Sequence, residues 1–399
     1  MTQPLASLAA LTLAYILSQF FRTSLAVIAP ELSRDLDLTT QDLGFLSSVW
    51  FIAFAVMQIP VGIALDKYGI RKLVAPMVLV AALGALLLAM APNLEVGIAA
   101  QVVIGIGCAP VYMGTLVLLT RWYEPARFAS LASLVLALGS LGNLMGTAPL
   151  AWLAGLIGWR LALVAVAAIV GLSALLVWLF VQDTRDGSPA PASGEHPLRA
   201  LIGTFKVARK RELWPLMPMA LIGYGVMVTV RGLWGGPYLA DMFGLDAIER
   251  GNVLLLMSIG MIAGPLLYAS IERRTDRRKL PVLAGSCITL AALVALMVTG
   301  SLLVATIALV LVGCFGSVFN MVMAQGRRFF APQEMGRGLT LLNGACFAGA
   351  ALLQALTGQV AASAAPPVWT AVFLSLAALL AIATGFLAFS RDRRLAELR

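Results

Sequence analysis

The sequence predicts an all-α membrane protein of twelve transmembrane helices, arranged as two six-helix bundles related by pseudo-symmetry. Three observations predict this fold class: the composition, the number and length of the apolar segments, and an internal repeat. Of the 399 residues, 60% are hydrophobic and only 12% are charged, which is far from the composition of a soluble domain. The chain is therefore expected to span a membrane many times.

Twelve apolar segments carry this prediction, and most of them are long enough to cross roughly 30 Å of hydrocarbon as a helix. The first segment has no basic residue before it and is longer than a signal peptide, so it is predicted to be a retained helix. The predicted spans are 5–29, 43–64, 73–91, 96–120, 129–153, 160–181, 215–239, 252–271, 280–299, 302–326, 338–362 and 368–390.

The two halves of the chain repeat at a separation of 206 residues. Asp66 is matched by Glu272 and Cys108 by Cys314 at that separation, and Arg121 has its counterpart in Arg327. The segment between the halves is rich in Pro, Ser, Gly and Asp, which is typical of a flexible linker, and a segment with an amphipathic pattern follows it. The predicted domains are a first bundle at 1–182, a linker with an amphipathic segment at 183–212, a second bundle at 213–390 and a tail at 391–399.

The net charge of +9 does not indicate nucleic-acid binding, because of where the basic residues lie. If the N-terminus is cytoplasmic, 23 of the 28 Lys and Arg residues fall on the cytoplasmic side. This is the asymmetry of the positive-inside rule. We therefore predict a multi-pass protein of the bacterial inner membrane with both termini in the cytoplasm, in contact with lipid and not with nucleic acid.

A charged segment between the second and third predicted spans carries the most specific motif. Residues 60–73 read PVGIALDKYGIRKL, with Gly62, Asp66, Gly69 and a basic cluster in fixed order. The pattern resembles the signature between the second and third helices of the major facilitator superfamily of secondary transporters. The alternative interpretation is an ordinary positive-inside loop.

The resemblance implies that these charges close an inner gate. The second copy of the motif is looser, since Tyr268 and Thr275 stand where the first copy has glycines. Acid–base pairs three residues apart follow two other spans and are suited to local ion pairing. The predicted gate residues are Gly62, Asp66, Lys67, Gly69, Arg71, Lys72, Glu124, Arg127, Glu272, Arg273, Arg277, Arg278, Glu334 and Arg337.

Two arginines at matching depth in spans 1 and 7 indicate that the substrate is an anion. Arg22 follows Tyr15 by seven residues and Arg231 follows Tyr224 by seven, so each pair shares a helix face. An arginine in hydrocarbon costs several kcal/mol and should face a polar cavity or a partner; snorkelling towards the interface is the alternative. Two guanidiniums suit a carboxylate or phosphate, because each binds such a group bidentately.

This pair resembles the organophosphate antiporter and anion–cation symporter branches of the same superfamily. In those branches two such arginines line the central site and bind the anionic substrate. The resemblance implies the same role for Arg22 and Arg231. Other polar residues are candidates for the same cavity, although such residues also serve as hydrogen bonds between helices. They are Tyr15, Gln19, Tyr224, Trp234, Asn320 and Asn343.

No phosphate-binding loop, metal-ligand spacing or catalytic triad pattern occurs in the sequence, so we predict no enzyme activity, no cofactor and no metal. The acidic residues fall in loops or near span ends. Coupling, if any, is therefore expected to use the substrate's own charge, exchange with a counter-anion, or protons carried by an end-of-helix acid such as Glu31. The predicted function is alternating-access transport of a small organic or organophosphate anion by a monomer. The alternatives are an exporter of lipophilic or cationic compounds and a membrane sensor that binds a ligand without transporting it.

Overall fold

The structure, a computed structural model, is built of helices. It describes residues 2–123, 125–183, 209–275, 279–326, 329–330, 335–363 and 368–389. The predicted amphipathic segment within 184–208 and the tail at 391–399 lie outside the described residues. The domain boundaries at 182 and 213 therefore stay predictions.

Fifteen α-helices occur in the described part of the chain. They are α1 Thr2–Asp35, α2 Thr40–Tyr68, α3 Ile70–Ala89, α4 Leu94–Trp122, α5 Pro125–Met145, α6 Ala148–Ile157, α7 Trp159–Phe180, α8 Met217–Thr229, α9 Gly235–Phe243, α10 Ala247–Thr275, α11 Lys279–Val298, α12 Leu302–Phe315, α13 Phe319–Gly326, α14 Met335–Ser363 and α15 Val368–Ala388. A π-helical turn, Val230–Trp234, joins α8 to α9, and a short 3₁₀ turn covers Arg211–Leu213.

These helices account for the twelve predicted spans. Eleven stretches are long and apolar enough to cross a membrane, and the tenth predicted span contains the shorter apolar helix α12. Three of the predicted spans are not continuous α-helices. Gly146 and Thr147 interrupt the span 129–153, and the π-helical turn interrupts the span 215–239. Residues 316–318 interrupt the span 302–326. Large apolar side chains such as Leu303 and Leu266 are more than 60% exposed on the helix surfaces, as expected where lipid is the solvent. The chain is an integral, multi-pass membrane protein.

The connection between the second and third predicted spans is shorter than the predicted span ends at 64 and 73 imply. α2 continues through the motif to Tyr68 and α3 begins at Ile70, so Gly69 is the whole connection. Its φ of +81° is a conformation that glycine adopts without strain. Lys67, Arg71 and Lys72 can extend both helices because Lys and Arg have high helix propensity.

Two helices at equivalent places in the repeat begin in the same way. Thr39 and Asp42 exchange hydrogen bonds at the start of α2, from Thr39 N–H to the carboxylate and from Asp42 N–H to the hydroxyl, at 3.0 and 3.2 Å. Asp246 and Glu249 do the same at the start of α10, at 3.0 and 2.8 Å. Each pair is a capping box, which satisfies amide groups that the helix itself leaves unpaired. The two halves of the chain thus also share the capping hydrogen bonds at these helix starts.

The chain divides into two compact units. The first comprises Met1–Leu38, Val49–Gly194 and Asp246–Gly251, and the second comprises Thr39–Ser48, Glu195–Leu245 and Asn252–Arg399. In the first unit α3 packs against α4 and α7, and α1 packs against α5. In the second unit α14 packs against α8, and α11 packs against α12 and α15.

Candidate functional site

Arg22 lies on α1 over two aromatic rings of α2. Its Cζ is 5.7 Å from the centroid of the Trp50 ring and 5.1 Å from that of Phe54. The two rings are themselves stacked, with centroids 5.1 Å apart and planes 15° from parallel. A guanidinium over aromatic faces is attracted by the ring quadrupoles, by about 0.5–2 kcal/mol. The structure therefore positions the Arg22 side chain, which is partly exposed, on an aromatic platform formed by Trp50 and Phe54.

Glycines bring the neighbouring helices against this platform. A Cβ on Gly105 of α4 would lie 2.6 Å from the carbonyl oxygen of Trp50, and one on Gly142 of α5 would collide with the carbonyl oxygen of Ile16 on α1. Both contacts are closer than any larger residue allows. Glycine spacing in α5 therefore serves close helix packing, and it holds α5 against the part of α1 that carries Gln19 and Arg22.

Tyr15 and Gln19 occupy the same face of α1 as Arg22, at helical spacings of seven and three residues. Tyr15 is 3% exposed and its ring stacks on that of Tyr112 at 5.0 Å. Gln19 is 9% exposed. The structure thus places three predicted site residues on one stripe of the first unit.

Arg231 has different surroundings. It belongs to the π-helical turn Val230–Trp234 and is 1% exposed. Its Nε donates a hydrogen bond of 2.9 Å to the Ser258 hydroxyl on α10, which in turn donates to the carbonyl of Leu254 at 2.8 Å. π-helical turns inside α-helices frequently mark functional positions. Here the turn places a fully buried charge beside a hydroxyl.

The structure assigns Trp234 to packing. The side chain is completely buried, its indole N–H donates to the Thr357 hydroxyl at 2.7 Å, and its ring contacts Trp369 with centroids 5.8 Å apart. The hydrogen bond that would have recognised a ligand is already made within the protein. We therefore leave Trp234 out of the proposed site.

The remaining predicted site residues lie in the second unit. Tyr224 is partly exposed on α8 and its ring contacts those of Phe319 and Phe347 at 5.3 and 5.9 Å. Asn343 is partly exposed on α14. The side chain of Asn320 lies outside the described part of the structure.

Three residues that we did not single out from the sequence stand out in the structure, two by contact with these arginines and one by burial. Trp50 and Ser258 contact Arg22 and Arg231. Gln354, one helical turn before Thr357 on α14, is completely buried, and neither of its amide atoms has a partner among the described residues. A glutamine within a membrane span is a signal that could have been used. The contacts of Trp50 and Ser258 depend on helix packing and leave no sequence signal.

The predicted gate segment is held by a residue outside it. The Asp183 carboxylate accepts from the backbone N–H of Ile70 and, at 3.4 Å, from that of Arg71, at the first turn of α3. It also lies 3.9 Å from the Arg121 guanidinium of α4. A carboxylate at a helix N-terminus is favoured by the helix dipole. Asp183 therefore joins the ends of α3, α4 and α7, a role that sequence analysis missed by placing it in the linker.

The other predicted gate residues fall into two sets. Some have side chains at the protein surface, and the side chains of the rest lie outside the described part of the structure. Gly62 and Lys72 are exposed, Lys67 is exposed with its Nζ 5.0 Å from the Tyr68 ring, and Arg71 stacks on Trp178 at 4.9 Å. The side chains outside the described part are those of Asp66, Glu124, Arg127, Glu272, Arg273, Arg277, Arg278, Glu334 and Arg337.

Glu31, the acid considered for coupling, is ion-paired in the first unit. Its Oε1 accepts from Nη2 of Arg250 at 2.6 Å, and the Arg250 side chain is only 6% exposed. Charge-assisted hydrogen bonds of this length are the stronger kind. Glu31 thus lies at the end of α1 against the first turn of α10. No group of three or more His, Cys, Asp or Glu side chains suited to a metal occurs in the described ranges.

Comparison with known proteins identifies the family. A family model described as the Major Facilitator Superfamily matches residues 11–353 and 235–398, which together cover nearly the whole chain. The hexuronate transporter of Bacillus subtilis (strain 168) is 24% identical over 278 residues, 67% of this chain and 65% of that protein. A putative tartrate transporter of Agrobacterium vitis is 23% identical over 301 residues, 70% of this chain and 66% of that protein.

The matched part of the chain thus spans just under two thirds of the length of these relatives. Among solved structures, the nucleoside transporter NupG superimposes with a TM-score of 0.75 over 97% of this chain and 99% of that one, at 15% identity. At this identity the likeness concerns the fold alone.

Proposed function

This chain belongs to the major facilitator superfamily, and from that premise we propose that it is a secondary active transporter of a small organic or organophosphate anion. The proposal places its central site in the membrane, reached alternately from either side. The family is one of transporters, so no enzyme activity is proposed. The membrane would be the bacterial inner membrane, with both termini in the cytoplasm.

The observation that carries the proposal is an arginine within a membrane span of each unit. Arg22 is partly exposed and Arg231 is fully buried, and they lie in the first and seventh predicted spans. Cationic side chains inside a membrane are costly and mark substrate pathways. We propose that both bind the anionic group of the substrate, with Tyr15, Gln19, Tyr224 and Asn343 as further contacts.

The named relatives support the same chemistry. Hexuronate and tartrate, the anions in their names, both carry carboxylates, which a guanidinium binds through two parallel hydrogen bonds. Transport would be coupled to protons or to a counter-anion and would be carried out by a monomer. We propose further that the charged residues around Gly69 form the inner gate and that Asp183 anchors them.

Thermal unfolding of the purified protein with a panel of ligands tests the proposal. A ligand that binds the folded state raises its stability by mass action, by about 2.7 kcal/mol at a concentration 100 times its dissociation constant. The panel contains tartrate, glucuronate, succinate, inorganic phosphate, glycerol phosphate and tetraphenylphosphonium. We expect at least one anion to stabilise the wild type and to lose its effect in Arg22→Gln and in Arg231→Gln.

Arg34→Gln is the matched control, because Arg34 is an exposed arginine on the same helix as Arg22. Stabilisation by tetraphenylphosphonium alone, unchanged in the two site variants, would favour the exporter of cationic compounds and would contradict the proposal. Uptake of the stabilising anion into proteoliposomes completes the test. Saturable binding without uptake would favour the sensor.

A further inference from the structure

The second copy of the charged motif differs from the first at a position outside the proposed site. Tyr268 stands 206 residues after Gly62 and takes the place of that glycine. Gly62 is exposed, and a Cβ added to it would meet no atom within 4 Å. Tyr268 lies on α10 and is only 2% exposed. A surface glycine in one half of the chain is thus replaced in the other half by a buried tyrosine.

A second difference between the halves concerns the fourth and tenth predicted spans, 96–120 and 302–326, which are separated by the same 206 residues. α4 is a continuous helix, Leu94–Trp122, whereas the tenth span is divided at residues 316–318 into α12 and α13. The last carbonyl groups of a helix lack partners within it, and inside a membrane they must be paired by the protein. The tenth span therefore needs hydrogen-bond donors that a continuous helix does not need.

Tyr268 supplies one of these donors. Its hydroxyl donates a hydrogen bond of 2.7 Å to the carbonyl of Phe315, the last residue of α12. The rings of the two residues are also in edge contact, with centroids 6.5 Å apart and planes 88° from parallel. Gly285 of α11 leaves room for the hydroxyl, because a Cβ at that position would collide with it. Tyr268 thereby fixes the end of α12 from the neighbouring helix α10.

A second hydroxyl pairs the break from within. Ser317 is 7% exposed and donates a hydrogen bond of 2.7 Å to the carbonyl of Gly313. The N–H of Val318 donates to the carbonyl of Gly316 at 2.8 Å, which closes a turn of three residues where a helix would join residues four apart. Two side-chain hydroxyls, those of Ser317 and Tyr268, thus pair carbonyl groups at the end of α12.

The break lies about one helical turn from the hydrogen bond between Arg231 and Ser258. The Ser317 hydroxyl is 3.5 Å from the sulfur of Met227 and 3.4 Å from the carbonyl oxygen of Met261. Met227 precedes Arg231 by four residues, and Met261 follows Ser258 by three. The break is therefore in contact with both α8 and α10, close to the residues of the proposed site in this unit.

From these contacts we propose that residues 316–318 are a hinge of the tenth span and that Tyr268 is its lock. When the hydrogen bond between Tyr268 and Phe315 opens, α13 turns about the break. α12 stays in place, because a close backbone contact at Gly313 holds it against Met257 of α10. α4 contains no such break and moves as one helix. The inference goes beyond the proposed function, since it concerns a movement and not the ligand.

Amide hydrogen exchange of the purified full-length protein, read by mass spectrometry, tests the hinge. A hydrogen-bonded amide exchanges when the local structure opens, so the rate reports the opening. Tyr268→Phe keeps the ring and removes only the hydroxyl. We expect exchange at residues 313–322 to become about three- to tenfold faster, which is the effect of one hydrogen bond, while exchange at 302–312 is unchanged. Ser317→Ala should act at the same residues and in the same direction.

Tyr238→Phe is the matched control. Tyr238 is also fully buried in the second unit, and its hydroxyl donates to a backbone carbonyl, that of Leu296 near the end of α11, at 3.1 Å. The change removes an equivalent bond elsewhere and should leave exchange at 313–322 unaltered. Residues 107–116 of α4, which correspond to 313–322 in the repeat, are the internal reference. In the wild type they should exchange more slowly than 313–322, as expected of a continuous helix.

Three results would overturn the hinge. The first is unchanged exchange at 313–322 in both Tyr268→Phe and Ser317→Ala, and the second is an equal increase there in Tyr238→Phe. The third is an increase spread over the whole second unit, which would mean that Tyr268 only holds the fold together. None of these readings uses a ligand. Failure of every anion to stabilise the protein would therefore contradict the proposed function and not the hinge.

Discussion

Arg22 and Arg231 lie in the first and seventh predicted spans, and their surroundings differ in kind. Arg22 is partly exposed and rests on the Trp50 and Phe54 rings in a continuous helix. Arg231 is 1% exposed, lies in a π-helical turn and donates its Nε hydrogen to Ser258. One cation is supported by stacking and the other by a hydrogen bond within a tightly packed interior.

The difference shows two ways in which a membrane protein can stabilise an arginine within a span. Contacts with the two rings attract the Arg22 cation without requiring a hydrogen bond. A fully buried charge is costly to desolvate and contributes little net stability, so a protein that keeps one keeps it for function or for structural specificity. The following predictions test this contrast, beginning with the largest expected effect.

Replacing each arginine by methionine should weaken anion binding in both cases and affect stability differently. We expect each of Arg22→Met and Arg231→Met to weaken the stabilising anion by roughly 10- to 100-fold, because a hydrogen bond to a charged group contributes about 1.5–3 kcal/mol. Arg22→Met should also lower the melting temperature, since the cation–π contacts are lost. Arg231→Met should not, because a buried charge is exchanged for an apolar chain of similar length. Equal loss of stability in both would contradict the contrast.

Removing the Ser258 hydroxyl should lower the stability of the protein, because Arg231 loses its hydrogen-bond acceptor. Ser258→Ala deletes the acceptor of the Arg231 Nε, and we expect the melting temperature to fall by a few degrees, since about 1.5–3 kcal/mol is lost with a charge-assisted bond. Ser286→Ala is the matched control, because Ser286 is 2% exposed and its hydroxyl has no partner among the described residues. A similar fall in both variants would show that the bond to Arg231 is not the cause.

Removing one ring of the platform should have a moderate effect on binding. Phe54→Leu deletes the aromatic face 5.1 Å from the Arg22 guanidinium, and about 1 kcal/mol of cation–π attraction corresponds to roughly fivefold weaker anion binding. Phe20→Leu removes a ring of α1 that packs against Phe21, and should leave binding unchanged. Titration of the stabilising anion against the three proteins measures this. Unaltered binding in Phe54→Leu would mean that the platform does not position Arg22.

The smallest effect is expected at Trp234, which we assign to packing. Trp234→Phe loses the hydrogen bond to Thr357 and should lower the free energy of unfolding by about 0.5–1.5 kcal/mol while leaving anion affinity unchanged. Combining it with Thr357→Val should cost less than the sum of the two single changes, because both remove the same bond. A loss of affinity in Trp234→Phe would return this residue to the site.

The sequence was sufficient for the fold, for physical reasons. The length of an apolar segment is set by the thickness of the hydrocarbon, so twelve spans could be counted without tertiary information. The family prediction is confirmed, and it rested on a motif of residues 60–73 whose charges have no place inside a membrane. Arg22 and Arg231 could be proposed as site residues because a charge in an apolar run is rare.

What the sequence could not supply depends on packing between helices. The extent of α2 and α3 was underestimated, since a charged residue just outside the hydrocarbon favours helix as readily as loop. Asp183 follows a long apolar span at the start of a polar segment, and only its contacts with α3 and Arg121 show what it does. The stacking of Arg22 on Trp50 and the burial of Trp234 are likewise properties of packed helices.

The single-residue connection at Gly69 limits how this protein can be engineered. A Cβ at that position would lie 2.6 Å from the Asp183 carboxylate, and both neighbouring residues are already helical, so the junction contains no spare chain. An epitope tag or fusion partner inserted there would undo the reversal of direction and pull Asp183 away from the start of α3 in the same step. The turn between α3 and α4 is the better place for such an insertion, because Met90 is 74% exposed and the adjacent backbone is not part of a helix.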